Sequence, residues 1–412
     1  MVGISLGALV GIAGGLAPSV AAADVQSQQW YLKGMSAEKI WRVSTGEGVK
    51  VAVIDSGVNP NTASLKGQIL TDNPTYNATK DADGHGTSMA EVIAGTGDGG
   101  GIQGIAPGVK IRPYRIALGE EVEDREQREK FPGPTEVIRA AADSDVQIIN
   151  MSYGGMNPTA DEKAAVQYAQ SKGKLLFAGV GNTGDKDNDI QYPAAYRGVT
   201  GVAALDKSGR VGKFSQHGDY VDVSAPGLDI PGWCDGTFKS YCTKDKGTSY
   251  STAYASASAA LIWSAHPDWT ANQVLRVLID TAGRDWPKDE PSNYLGYGVV
   301  RPARNLLRHE GDPGPADVDP ITGRTVAMPA GGGQGETAGP ASSSAPSASA
   351  SQSSQASGDT SGKASEDKPS AAGSSADSSD GRTGLWIALG SVAALAVLGG
   401  GGVAVVRSRR GH

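Results

Sequence analysis

Between residues 49 and 180, short runs rich in β-branched residues alternate with longer stretches of helical pattern. That alternation restricts the fold more than any other feature of the chain. Val49–Ile54 has the pattern of a strand buried on both faces, and Val146–Met151 and Lys174–Val180 repeat it. Thr87–Ala94, Thr135–Ser144 and Asp161–Lys172 read as the helices between and after them. Such a rhythm predicts an α/β fold with a mainly parallel central sheet and helices on both faces. Roughly 290 residues are available for it, enough for one large core.

Open sheets of this kind place their sites beyond the carboxyl ends of the strands. Three glycine-flanked segments supply reactive side chains: Asp55-Ser-Gly57 at a strand end, Asp83-Gly-His85-Gly-Thr87 at a helix start, and Gly247-Thr-Ser249. The last leads into a helix of small residues, Tyr250–Ser264. Taken singly, the aspartate reads as a turn residue, and the histidine and serine as structural. Together they are what nucleophilic catalysis requires, since a serine hydroxyl is a poor nucleophile until a histidine takes its proton and a carboxylate orients that histidine. A helix start at Ser249 also favours negative charge developing nearby. Asn182, in Gly179-Val-Gly-Asn182-Thr-Gly184, reads as a turn former or as an amide aimed at an oxyanion, with the Ser249 N–H as second donor.

The ends of the chain carry a different message. Residues 1–23 are apolar and small, and Val20-Ala-Ala-Ala23 has the form of a signal-peptide cleavage site. Residues 24–48 then form an N-terminal extension, 49–311 a catalytic domain, and 312–383 a disordered tether rich in Ser, Ala, Gly and Pro. Leu385–Val406 carries no charge, and at about 1.5 Å per residue it spans about 33 Å, enough for a hydrocarbon core of about 30 Å. Arg407, Arg409 and Arg410 follow in a short tail, 407–412. Their charge predicts a single-pass cell-membrane protein in contact with membrane lipid, its catalytic domain extracytoplasmic and its C-terminus cytoplasmic.

Cys234 and Cys242 are the two cysteines of the chain. In an exported protein an even count favours a disulfide closing a short loop, and two cysteines alone make a poor metal site. With a net charge of −7 and no basic stripe, nucleic acid is excluded as a partner. Gly95–Gly104 lacks the lysine of a phosphate loop and reads as an ordinary loop. Asp185–Asp189 lacks the rest of a calcium loop. Glu120–Lys130 reads as a solvated loop or as a surface insertion that docks a partner. No metal and no cofactor are called for.

These segments resemble the subtilases. Asp55-Ser-Gly, His85-Gly-Thr, Asn150-Met-Ser-Tyr-Gly-Gly155, Gly181-Asn182, Phe214-Ser, Asp222-Val, Ala225-Pro-Gly227 and Gly247-Thr-Ser249 all match family motifs, over about Trp30–Leu307. The resemblance implies a subtilisin-like three-layer fold and a serine endopeptidase. In it Asp55 orients His85, His85 serves as general base and then acid, Ser249 attacks, and Asn182 contributes to the oxyanion hole. Ser152, Tyr153 and Gly154 form an edge for an extended substrate, and Val180 and Gly181 help wall the primary specificity pocket. Within the family the chain most resembles the mycosins, membrane-anchored proteases of type VII secretion. The short segment Trp30–Gly48, the close Gly296-Tyr-Gly-Val-Val-Arg-Pro302, the tether and the apolar C-terminal stretch carry that likeness. It implies exported proteins or peptides as substrates and membrane components of a secretion complex as partners; the alternative is a structural stabiliser of such a complex with little proteolysis. Two positions depart from the family: Ala253 stands where a proline is usual, and Ser88 where a second histidine is common.

Overall fold

The computed structural model describes residues 24–72, 78–117 and 131–326. Six strands make one sheet: β1 (Lys50–Asp55), β2 (Lys110–Arg115), β3 (Ile148–Met151), β4 (Leu175–Gly179), β5 (Thr200–Leu205) and β6 (Val223–Pro226). Their order is β2-β1-β3-β4-β5-β6, and every pairing is parallel. Successive side chains of a strand face opposite sides, and both sides are apolar here. Val51, Val53 and Ile148 point into one buried cluster, while Ala52, Ile54 and Ile149 point into the other.

Helices cover each face. On the first lie α1 (His85–Ala94) and, later in the chain, the Ala- and Ser-rich helix Thr248–Ala265. On the second lie α2 (Pro134–Asp143) and α3 (Ala160–Ser171). In α2, Val137, Ile138, Ala141 and Ala142 fall on one stripe and are the buried residues, as expected of a helix with one face on a sheet. The result is the α/β layering expected from the strand–helix rhythm. We number Thr248–Ala265 α4, and the two helices after it α5 (Ala271–Asp280) and α6 (Pro302–Arg308). A separate antiparallel hairpin, β7 (Leu228–Trp233) with β8 (Tyr241–Lys246), immediately precedes α4. A Cys234–Cys242 disulfide, with Cα atoms 5.0 Å apart, links the residue just after β7 to β8. Each margin of the large sheet is bridged at one point: Ile69 pairs with Ile111 on β2, and Val299 with Ser224 on β6.

The segment before β1 lies against the body of the fold. Tyr31 and Ile40 are buried in the first cluster, Trp41 Nε1 donates to the Ile105 carbonyl (2.8 Å), and Ser44 Oγ to the Leu261 carbonyl (2.7 Å). At the other end the packed chain continues past residue 311. Arg276 donates to the Val318 carbonyl (2.7 Å), Thr270 to that of Ala316 (2.8 Å), and Asp319 is buried.

The expected single-pass membrane placement is corrected. Among the described residues no helix is long and apolar enough to cross a membrane. The longest, α4 with 18 residues, is spent on the interior of the fold, where its small side chains let it pack close to the sheet. The stretch 385–406 on which that expectation rested lies outside the described residues. So do the expected signal peptide 1–23, the insertion Glu120–Lys130, the tether beyond 326 and the tail 407–412.

Candidate active site

β1 and β3 are neighbours, but their crossovers leave in opposite directions, which opens a crevice at their carboxyl ends. Asp55 closes β1 there and is fully buried. Its Oδ1 accepts from the Ser56 N–H (2.8 Å) and faces His85 Nδ1 at 2.7 Å. That approach depends on Gly86. A Cβ at 86 would stand 2.1 Å from the Gly57 carbonyl oxygen and 3.0 Å from Asp55 Cβ, so any side chain would push α1 away from the strand end.

The loop before His85 is organised by Asp81. One of its oxygens accepts from Ser56 Oγ (2.9 Å) and the Gly84 N–H (2.8 Å), the other from the Thr87 N–H (2.9 Å) and Thr87 Oγ1 (2.5 Å). A buried carboxylate is thus satisfied by the open end of a helix. Burial by itself lowers the His85 pKa, but the charge and hydrogen bond of Asp55, with Asp83 and Asp81 behind, reverse this and raise it to about 9.

Ser249 is the second residue of α4. From Thr248 to Trp263 every residue of that helix except Ser249 is buried. In this state its hydroxyl donates to the Ser152 carbonyl (3.3 Å), and among the described residues no hydrogen bond joins it to His85. α4 runs through Ala253 without a break. The Ser249 carbonyl also accepts from Ser152 Oγ (3.3 Å), which ties the helix start to the segment after β3. Asn150 reinforces that tie, donating to Ser152 Oγ (2.9 Å) and accepting from Ser256 Oγ (3.0 Å).

Asn182 follows β4. Its Oδ1 accepts from the Thr248 N–H (2.9 Å) and Thr248 Oγ1 (3.2 Å), which fixes the amide with Nδ2 directed away from Thr248. Asn182 Nδ2 and the Ser249 nitrogen each lie 3.8 Å from the position a Cβ would take at Gly247, with Asn182 Oδ1 at 3.9 Å.

A cavity of about 130 Å³ opens beside Ser249, lined by Ser152, Tyr153, Gly154, Gly179, Gly181, Asn182, Gln191, Thr248 and Ser249. Val180 does not line it. The alternation of an extended chain sends its side chain the other way, into the buried layer under α2 and α3. On the cavity rim Gly154 is exposed, and its backbone makes no hydrogen bond among the described residues, so it is free to pair with an incoming strand. The chain becomes paired again at Gly155, with Tyr192.

Asp81, Gln191 and Thr248 were not anticipated as parts of this site. A signal existed for Asp81, a carboxylate among turn formers just ahead of a helix start. None existed for Gln191, which lines the cavity beside the long-range pairing of its neighbour Tyr192 with Gly155.

A sequence model of the subtilase family matches residues 46–298. The chain belongs to the subtilase family. Subtilisin BL from Lederbergia lenta is 31% identical over 278 residues, which cover 67% of this chain and 97% of that one. Among solved structures, MycP1, described as an essential component of the type VII (ESX-1) secretion system, is 27% identical with a TM-score of 0.56, covering 70% of this chain and 90% of its own. MycP3 protease from the type VII (ESX-3) system gives the same identity, score and coverage. The subtilase is therefore a subtilisin-like serine endopeptidase, built on a six-stranded parallel sheet with helices on both faces.

Proposed function

We propose that this subtilase hydrolyses peptide bonds of exported proteins through Asp55, His85 and Ser249, and that it does so in the company of a type VII secretion system. One observation carries the chemistry: His85 Nδ1 lies 2.7 Å from the buried Asp55 carboxylate while Ser249 is the single unburied residue in the first four turns of α4. The hydrogen bond to Asp55 holds Nδ1 as the protonated nitrogen and leaves Nε2 as the base. As Ser249 Oγ bonds to the scissile carbonyl carbon, its proton passes to Nε2. The oxyanion is met by Asn182 Nδ2 and the Ser249 N–H. His85 then gives the proton to the departing amine as the C–N bond breaks, and water repeats the sequence on the acyl-enzyme. For this the hydroxyl must rotate from the Ser152 carbonyl toward His85. The substrate backbone pairs at Gly154, and the side chain before the scissile bond enters the cavity. The setting among secretion components rests on the likeness to MycP1 and MycP3.

The resting hydrogen bond from Ser249 to Ser152 favours a second reading, in which the protein stabilises a secretion complex and its catalysis is vestigial. Treatment with a fluorophosphonate, followed by peptide mass spectrometry, separates the two. A stoichiometric adduct on Ser249, absent in Ser249→Ala, is the expected result; folded protein that stays unlabelled would overturn the proposal. Cells carrying Ser249→Ala should accumulate an uncut exported protein, whereas normal processing would support the structural role.

A further inference from the structure

The disulfide-linked hairpin touches both helices whose first turns carry the reacting side chains. From β7, the Trp233 N–H donates to Ser88 Oγ (2.8 Å), and the Ser88 hydroxyl donates to the Gly84 carbonyl (2.8 Å), closing the turn that contains His85. From β8, Tyr241 OH donates to Glu91 Oε2 (2.9 Å), and Glu91 Oε1 accepts from Ser64 Oγ (2.6 Å). Ser88 and Glu91 are three residues apart, so the hairpin grips one face of α1 at two successive points. On α4 the contact is Tyr250, the residue after Ser249, whose hydroxyl donates to Asp245 Oδ2 on β8 (2.6 Å).

The two grips converge. A Cβ at Gly232 would stand 2.1 Å from the Tyr250 hydroxyl and 3.2 Å from Ser88 Oγ, so the starts of α1 and α4 meet across the backbone of β7 with no room for a side chain. Gly232 pairs with Cys242 and Trp233 with Tyr241, and the Trp233 and Tyr241 rings stack at 3.8 Å. The Cys234–Cys242 bond lies beside these pairs and ties the residue just after β7 to β8 at that end.

We infer that this hairpin sets the separation of His85 and Ser249, with Ser88 and Asp245 as positioning residues that hold the first turns of α1 and α4. The inference rests on the reading of Asp55, His85 and Ser249 as the reacting groups. It also accounts for Ser88. Where relatives commonly carry histidine, the small hydroxyl fits between the Gly84 carbonyl and the Trp233 N–H. Misplacement of reacting groups by about 1 Å costs on the order of 10²-fold in rate. Loosening either grip therefore lowers turnover while the cavity and Gly154, whose lining includes no hairpin residue, keep substrate affinity.

The test uses the full chain with Ser88→Ala, Asp245→Ala, Asp245→Asn and Tyr250→Phe, assayed well below each variant's melting temperature. It reads kcat, KM and the rate of phosphonylation by a fluorophosphonate. Ser88→Ala, Asp245→Ala and Tyr250→Phe should each lower kcat and the labelling rate by roughly 10-fold or more, with KM within about twofold. Asp245→Asn keeps an acceptor for Tyr250 and should recover most of the loss. Tyr250→Phe removes only a hydroxyl, so it keeps the question open to refutation if an alanine variant does not fold. Variants that melt earlier yet turn over normally, or that change KM alone, would overturn the inference. Ser249→Ala is the reference: if it still hydrolyses peptide, the triad reading fails, and if it is inactive while the other variants are unimpaired, the positioning role alone fails.

Discussion

Asn182 and His85 illustrate how little of a side chain's chemistry is intrinsic to it. Thr248 occupies the Asn182 carbonyl oxygen twice over, which turns the amide nitrogen away from it and leaves that nitrogen for the oxyanion of the proposed mechanism. Asn182→Ala should lower kcat by about 10²–10³ with little change in KM, read from steady-state hydrolysis of a chromogenic peptide. For His85 the deciding neighbours are acidic. As the proposed general base it must be neutral, and a pKa raised from 6.5 to about 9 moves the ascending limb of kcat/KM above the ordinary imidazole range. Asp55→Asn should move that limb to lower pH and cut the rate by roughly 10⁴. The same shift has a thermodynamic side. Because the folded pKa is the higher one, the contribution of the charged pair to stability is complete below pH 6.5 and is lost as pH rises through about 9. Ser249→Ala protein, which cannot digest itself, should show a denaturation midpoint that falls across that window.

At the scale of elements, the cavity beside Ser249 is assembled from three separate segments, and Gln191 narrows it. With about 130 Å³ available, it suits a small side chain in the substrate. Gln191→Gly should widen it and raise kcat/KM for peptides with leucine or phenylalanine at that position by about 10-fold relative to alanine, in keeping with roughly 1–3 kcal/mol for pocket fit. No local pattern marks Gln191, since its place depends on a pairing between residues 155 and 192. The sheet was far more legible, because β-branched runs separated by amphipathic stretches have few other ways to bury both faces. Glycines at 57, 84 and 86 made the neighbourhoods of Asp55 and His85 conspicuous for a related reason: they sit where neighbouring backbone leaves no room for a side chain. The hairpin's grip on α1 and α4 was hidden, since Ser88, Trp233 and Asp245 are ordinary residues far apart in the chain. Val180 was misjudged because motif membership says nothing about which way a side chain points.

For the molecule as a whole, the segment before β1 belongs to the core it precedes. Tyr31, Met35 and Ile40 are buried. At about 1.5–3 kcal/mol for each buried side chain, their loss removes a large part of a typical margin of about 5–15 kcal/mol. Deleting residues 24–41 should therefore lower the melting temperature by about 10 °C or more, or prevent folding, as followed by circular dichroism. It should not activate the enzyme, because Trp30 and Trp41 are fastened to the carbonyls of Leu228, Asp229 and Ile105 rather than lying across Ser249. The bridged margins of the large sheet bear on a different hazard. A protein that recognises extended peptides by their backbones risks recognising its own kind, since a bare strand invites another chain to add itself. Ile69 and Val299 occupy the two places where such an addition would begin. At the large sheet this leaves the open stretch at Gly154 as the place where the proposed reading seats a foreign strand, within reach of Ser249.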